Sequence, residues 1–234
     1  MAGSVCVIGA GPSGITAAKN MLAAGITDTV VFEMSDQIGG NWVYREEASH
    51  SSVYETTHII SSKRWSQYED FPMPAEYPDY PGHHHLRDYF NRYADHFGVT
   101  PLIRFQTRVE SARRADDGRW QVETCGPNGA ESHLYDYLLV ANGHHWDPRL
   151  PEDPGSFAGT IIHAHDYKKA EPFRNQRVLV VGAGNSACDV AVETARVAEK
   201  VCLSMRRGQH IIPKLMFGKP TDTVYTWMLW LPRF

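Results

Sequence analysis

A short apolar run that empties into three spaced glycines limits what this chain can fold into. Val5-Cys6-Val7-Ile8 is long enough for a buried strand and too short for a helix. It leads into Gly9-Ala10-Gly11-Pro12-Ser13-Gly14, then into Ile15 to Ala24, good helix formers with apolar residues at helical spacing. Gly25 closes that helix as a C-cap. A second apolar run, Thr29-Val30-Val31-Phe32, ends in Glu33. Strand, glycine turn, helix, strand and acid, in that order, describe a dinucleotide-binding unit. Gly9 permits the tight turn, Gly11 lets the backbone approach a pyrophosphate, and Gly14 lets helix and strand pack closely. Pro12 and Ser13 lie in the same turn, at a helix N-terminus whose free N–H groups and positive dipole end suit phosphate. Glu33, 24 residues past Gly9, stands where a carboxylate holds ribose hydroxyls.

The same order recurs once. Arg177-Val178-Leu179-Val180-Val181 reads as a buried strand, followed by Gly182-Ala183-Gly184-Asn185-Ser186-Ala187, a helix from Cys188 to about Ala198, and a strand from Lys200 to Ser204. Asn185 and Ser186 add side-chain donors at the helix start. Where the first unit has Glu33, the second has Ser204-Met205-Arg206-Arg207. An acid there selects a free ribose 2′-hydroxyl, whereas arginine suits a 2′-phosphate through charge-assisted hydrogen bonds. One acidic and one basic ribose position imply FAD in the first unit, NADPH in the second, and hydride transfer between them. The fold class expected is α/β, with two Rossmann-like dinucleotide-binding units of the FAD/NAD(P)-binding kind.

Between the two units, Asp36 to Trp42 contains Gly39-Gly40-Asn41-Trp42; adjacent glycines let backbone N–H groups reach a ligand, and Trp42 adds a flat apolar wall. A plain surface turn is the alternative. Arg45 to Pro81 is irregular and reads as a binding loop, in which His58, Ser61, Ser62, Lys63 and Trp65 could face a ligand. His83-His84-His85 opens a helix after Pro81-Gly82, and three consecutive helical residues point three ways, so no metal site is expected. Leu86, Tyr89, Phe90, Tyr93 and Phe97 form that helix's apolar stripe, ending at Gly98. Phe105 to Arg114, Arg119 to Thr124 and His133 to Ala141 read as an antiparallel β-meander inserted in the parallel unit, with Val109 near the adenine end of the first nucleotide. Asn142-Gly143-His144 ends the last strand at the sheet's carboxyl edge, where open α/β folds bind ligands. The proline-rich stretch Pro148 to Pro154 places the domain boundary, giving 1–150 for the FAD half and 151–234 for the NADP half.

Among 234 residues the formal net charge of −4 gives no reason to expect nucleic acid or an anionic membrane as partner. The four cysteines form no C-x-x-C pair, which suits reduced, structural thiols in the cytoplasm and argues against a flavin disulfide reductase, which needs two neighbouring thiols. No signal peptide or membrane span is visible, and the apolar end Trp227 to Pro232 is too short to cross a bilayer.

Phe157, Gly159, His163 and Tyr167 occupy every fixed place of F-x-G-x-x-x-H-x-x-x-[YF]. Lying between two dinucleotide turns, that stretch resembles the fingerprint of flavin-containing monooxygenases, which are class B flavoprotein monooxygenases. Baeyer–Villiger relatives carry Trp at the last place, where this chain has Tyr167. The resemblance assigns Gly9 to Gly14, Glu33 and Gly40-Asn41-Trp42 to FAD, Gly182 to Ser186 to NADP, and Ser204 and Arg206 to the 2′-phosphate. Asp70-Phe71-Pro72 and Asn142 to His145 also match it. It implies an NADPH- and O2-dependent enzyme of the N,N-dimethylaniline monooxygenase kind. Such an enzyme oxygenates a small soft nucleophile, an amine nitrogen or sulfide sulfur, through a flavin C4a-hydroperoxide, and a homodimer is compatible with it. Two departures stand out. The pocket asparagine of that family falls at Ile60, with His58 offered as a substitute donor, and the chain is much shorter than family members, which reads as a truncated member.

Overall fold

The structure, a computed structural model, describes residues 3–47, 49–151 and 155–228. The end of the proline-rich stretch (152–154) and the apolar tail from 229 onward lie outside the described residues. The chain forms two compact units, Met1–Tyr44 with His83–Asp147, and Arg45–Gly82 with Pro148–Phe234.

The first unit is built on a four-stranded parallel sheet. Its strands are β1 (Val5–Ile8), β2 (Thr29–Phe32), β3 (Ile103–Arg104) and, after the meander, β7 (Tyr137–Val140), in the order β3-β2-β1-β7. Central β1 pairs with β2 and β7, and its Val5, Cys6 and Val7 are buried, as a strand covered on both faces must be. Helix α1 (Pro12–Ala23) buries Gly14, Ile15 and Ala18. Helix α2 (His83–His96) packs against α1 and buries Leu86, Tyr89, Phe90, Tyr93 and Ala94, the stripe that its 3.6-residue period dictates. The antiparallel meander β4 (Arg108–Arg114), β5 (Trp120–Gly126) and β6 (Gly129–Tyr135) is joined to the sheet by a cluster of Cys6, Phe32, Val122 and Tyr135.

Two boundaries differ from those read in the sequence. The run 133–141, expected as one strand, is two: β6 closes the meander and β7 enters the parallel sheet. Asp136 parts them, because its carboxylate accepts the Ser4 N–H at 2.7 Å and the Ser4 hydroxyl at 3.0 Å, turning the chain toward β1. The first meander strand starts at Arg108 rather than Phe105, since Gln106 takes φ 52° and its N–H bonds Ser35 O.

The second unit contains the parallel pair β8 (Arg177–Val181) and β9 (Lys200–Ser204), with helix α3 (Asn185–Thr194) against both. The expectation that β8 is buried does not hold: Leu179 and Val181 are 64% and 72% exposed, and only the face bearing Val178 and Val180 is partly covered. A two-stranded hairpin, β10 (Leu215–Met216) and β11 (Lys219–Pro220), precedes helix α4 (Thr221–Met228). Residues 45–82, which a boundary at 150 keeps with the FAD half, pack in this second unit. Backbone and charged groups hold them there: Glu55 N–H donates to Lys168 O (2.8 Å), the Lys168 ammonium to Ser51 O (2.6 Å), and Ser62 N–H to the Asp222 carboxylate (2.6 Å). Among the described residues no helix is long and apolar enough to cross a membrane.

Candidate functional site

The first glycine turn is closed by its own backbone. A Cβ on Gly14 would collide with the Gly9 carbonyl oxygen, so only glycine lets α1 leave the strand at this angle. Gly11 is the N-cap, no side chain caps the helix, and Pro12 occupies the first turn, where its missing N–H costs nothing. Ser13 is exposed. The 3₁₀ turn Gly40–Trp42 meets this loop backbone to backbone: a Cβ on Gly40 would stand 3.0 Å from Gly11 Cα, and Gly39 N–H donates to Ala10 O at 3.2 Å. Asn41 and Trp42 follow on that turn, half-buried.

Glu33 is 4% exposed, and its carboxylate stitches the two ends of the site together. One oxygen accepts the Ala10 N–H at 2.7 Å and the other the Ser35 N–H at 2.8 Å. An ionised carboxylate accepts about four hydrogen bonds, so capacity for ribose hydroxyls remains. The Glu33 carbonyl accepts Thr107 N–H at 2.9 Å, which brings the start of β4 beside the acid. Val109 lies there, next to a bulge at Glu110, with its side chain packed on the Cys6–Tyr135 cluster.

The second turn reproduces the first in conformation. Gly9 and Gly182 have φ 98° and 111°, and the N-caps Gly11 and Gly184 have φ/ψ of −72°/−179° and −73°/179°. Gly9 N–H donates to Phe32 O at 2.8 Å and Gly182 N–H to Ser204 O at 2.9 Å. That equivalence sets Met205 at the place of Glu33, with Ser204 before it and exposed Arg206 and Arg207 after it. Gly184, Asn185 and Ser186 are exposed and Ala187 half-buried at the start of α3, again without a side-chain cap.

His58 and Ile60 fare differently from their expected roles. The His58 Nδ1 contacts Thr56 O at 3.1 Å and its Nε2 receives the Lys214 ammonium, so both ring nitrogens are engaged and neither is a spare donor. His58 and Lys214 line a cleft of about 370 Å³ with Thr56, Cys188, Asp189 and Glu193. Burial lowers the Lys214 pKa. Ile60 is 68% exposed. In the first turn of α2 the His83 and His84 rings meet edge to face and those of His84 and His85 lie tilted with centroids 4.0 Å apart, and among the described residues no three His, Cys, Asp or Glu side chains form a metal-holding group.

A set of contacts that no local pattern announces surrounds α3. The Tyr54 hydroxyl donates to Asp189 Oδ2 at 2.5 Å, the Tyr167 hydroxyl donates to Glu193 Oε2 at 2.9 Å, and the two rings meet edge to face at 5.6 Å. Burial, then the carboxylate partner, push both phenol pKa values up. Burial pushes Glu193 up too, and neighbouring Asp189 adds to it against the Tyr167 hydrogen bond. Tyr167 ends the F-x-G-x-x-x-H-x-x-x-Y stretch and is 1% exposed. Earlier in that stretch the Phe157 ring covers Gly159, and His163 Nδ1 accepts the His165 N–H at 3.0 Å.

The model for flavin-binding monooxygenase-like proteins matches residues 2–231. Flavin-containing monooxygenase 5 of Rattus norvegicus is 39% identical over 229 residues, 93% of this chain and 43% of that protein. The solved S-allyl-L-cysteine S-oxygenase of Allium sativum superposes with a TM-score of 0.84 at 29% identity, over 92% of this chain and 54% of that one. Cyclohexanone monooxygenase from Rhodococcus, at 24% identity and TM-score 0.71, shares the fold over 90% of this chain and 39% of its own. The chain thus spans under half the length of the curated relative it matches. A family match from end to end, together with two copies of one glycine turn, assigns the chain to the flavin-binding monooxygenase-like family.

Proposed function

We propose that this chain carries the nucleotide-binding half of an NADPH- and O2-dependent flavin monooxygenase acting on soft nucleophiles. The observation that carries the reading is the pair of conformationally matched, uncapped helix starts, one followed by a buried acid and the other by two exposed arginines. In the first, Gly9, Gly11, Pro12, Ser13 and Gly14 receive the FAD pyrophosphate, Glu33 its ribose, Val109 the adenine edge, and Gly40, Asn41 and Trp42 the remainder. In the second, Gly182, Gly184, Asn185, Ser186 and Ala187 receive the NADPH pyrophosphate, with Ser204, Arg206 and Arg207 on the 2′-phosphate. The flavin, when bound, supplies reduction by nicotinamide and activation of O2. The protein's share is to hold both nucleotides and keep water from the reacting atoms, so no side-chain nucleophile is required. Four unpaired cysteines suit a reducing, cytoplasmic setting.

The sulfide arm of the substrate class is favoured by the garlic relative, named as an S-oxygenase. Ketone oxygenation is the second reading, prompted by the fold shared with cyclohexanone monooxygenase. Protein reconstituted with FAD should turn yellow, oxidise NADPH in preference to NADH, and consume NADPH in step with sulfide or amine oxide formed. Lactone from a cyclic ketone would favour the second reading. Peroxide release without any oxygenated product would reduce the chain to an NADPH oxidase, and protein that stays colourless would sink the proposal.

A further inference from the structure

We propose that Tyr54 and Tyr167 are positioning residues for the second nucleotide turn, holding α3 by its Asp189 and Glu193 so that its N-terminus faces the dinucleotide. The proposal rests on the reading of Gly182 to Ala187 as the NADPH cradle. Asp189 and Glu193 are four residues apart and share one face of α3, a like-charged spacing that destabilises an isolated helix. Each carboxylate accepts a hydrogen bond from a phenol. Both phenols sit on a prepared base: Tyr54 is 7% and Tyr167 1% exposed, and their rings contact each other.

That base is itself cross-tied. The Lys168 ammonium donates to Ser51 O and, at 3.2 Å, to His165 O, while Glu55 N–H donates to Lys168 O. Residues 51–55 and 165–168 therefore form one block, and the two phenols project from it onto α3. Two grips one helical turn apart along the same face fix the helix against rotation about its axis as well as against tilt. Rotation matters here because Gly184, Asn185 and Ser186 carry the outward N–H groups of an uncapped helix start. On its sheet side α3 rests, among the described residues, on the two strands β8 and β9, and the phenol grips add a hold away from that pair. Tyr54 and Tyr167 touch no nucleotide in this scheme; they act through α3.

Phenylalanine replacement separates the grip from the packing, since the ring stays and only the hydroxyl goes. In the Tyr54→Phe/Tyr167→Phe double variant, the hydrogen-bonded amides 188–194 should exchange with solvent about tenfold faster in nucleotide-free protein, and the calorimetric Kd for NADP+ should rise about tenfold, with FAD content unchanged. Asp189→Asn and Glu193→Gln keep an acceptor oxygen for the phenols and should stay close to wild type in both readouts. Unchanged exchange and Kd in the double variant would overturn the proposal. So would loss of protection across β8 and β9 accompanied by loss of FAD, which marks general unfolding rather than positioning. If wild-type protein bound no NADP+, the nucleotide reading and the ligand named here would fall together, while the exchange rates would still decide whether the phenols hold α3.

Discussion

Glu33 shows how much a single side chain is asked to do. It is buried, yet its two oxygens are satisfied by backbone N–H groups of Ala10 and Ser35, which join the glycine turn to the residues after β2. Glu33→Ala leaves the buried Ala10 N–H without its acceptor and should cost about 1–3 kcal/mol of stability. The same variant should lose bound flavin, read as the ratio of flavin absorbance to protein; wild-type retention would remove Glu33 from the FAD site. Gly14→Ala forces a methyl into the Gly9 carbonyl and should destabilise by about 1–3 kcal/mol or more, seen as a lowered unfolding midpoint. At the second turn, Arg206→Ala with Arg207→Ala should raise KM for NADPH while leaving KM for NADH nearly unchanged, narrowing the preference by about one to two powers of ten. Equal losses for both cofactors would mean that the arginines do not contact a 2′-phosphate.

Among elements, those written by local rules are the ones a reader of the sequence finds. β1, α1, β2, α2, β8 and β9 follow from apolar period and glycine spacing, and the α/β class with its inserted meander follows from their order. Leu86 is 2% exposed on the stripe of α2, so Leu86→Ala should cost about 2–5 kcal/mol in chemical denaturation. The misread elements have nonlocal causes. No glycine or proline interrupts the chain from Ala130 to Val140, and it is bonds from Asp136 and Tyr137 to Ser4, more than 130 residues away, that part β6 from β7. An all-apolar run such as Val178 to Val181 looks buried on both faces, whereas the second face of β8 is open. The irregular stretch 45–82 has no period at all, so nothing in it announces that Tyr54 reaches Asp189, 135 positions later. His58 looked available for the same reason: its partner Lys214 is 156 residues distant.

For the molecule as a whole, buried acids in the first unit set its tolerance of alkali. Burial pushes the Cys6 thiol from 9.0 up to about 12, and burial followed by the Cys6 charge pushes the Tyr135 phenol from 10.0 up to about 12. Above pH 9 the unfolded chain releases protons that the folded chain keeps, so stability falls as pH rises toward about 12. Each group contributes a slope of about 1.4 kcal/mol per pH unit inside its own window. Unfolding free energies measured along that window should show the decline, and Cys6→Ala should make it shallower; a flat profile would contradict the burial of both groups. Lys168 has a corresponding consequence for chemical labelling. Its amine is sealed against two carbonyls, and burial lowers its pKa. An acylating reagent that modifies surface lysines at once should reach this one only when the block around it comes apart, so its rate of modification serves as a clock for the opening of the second unit.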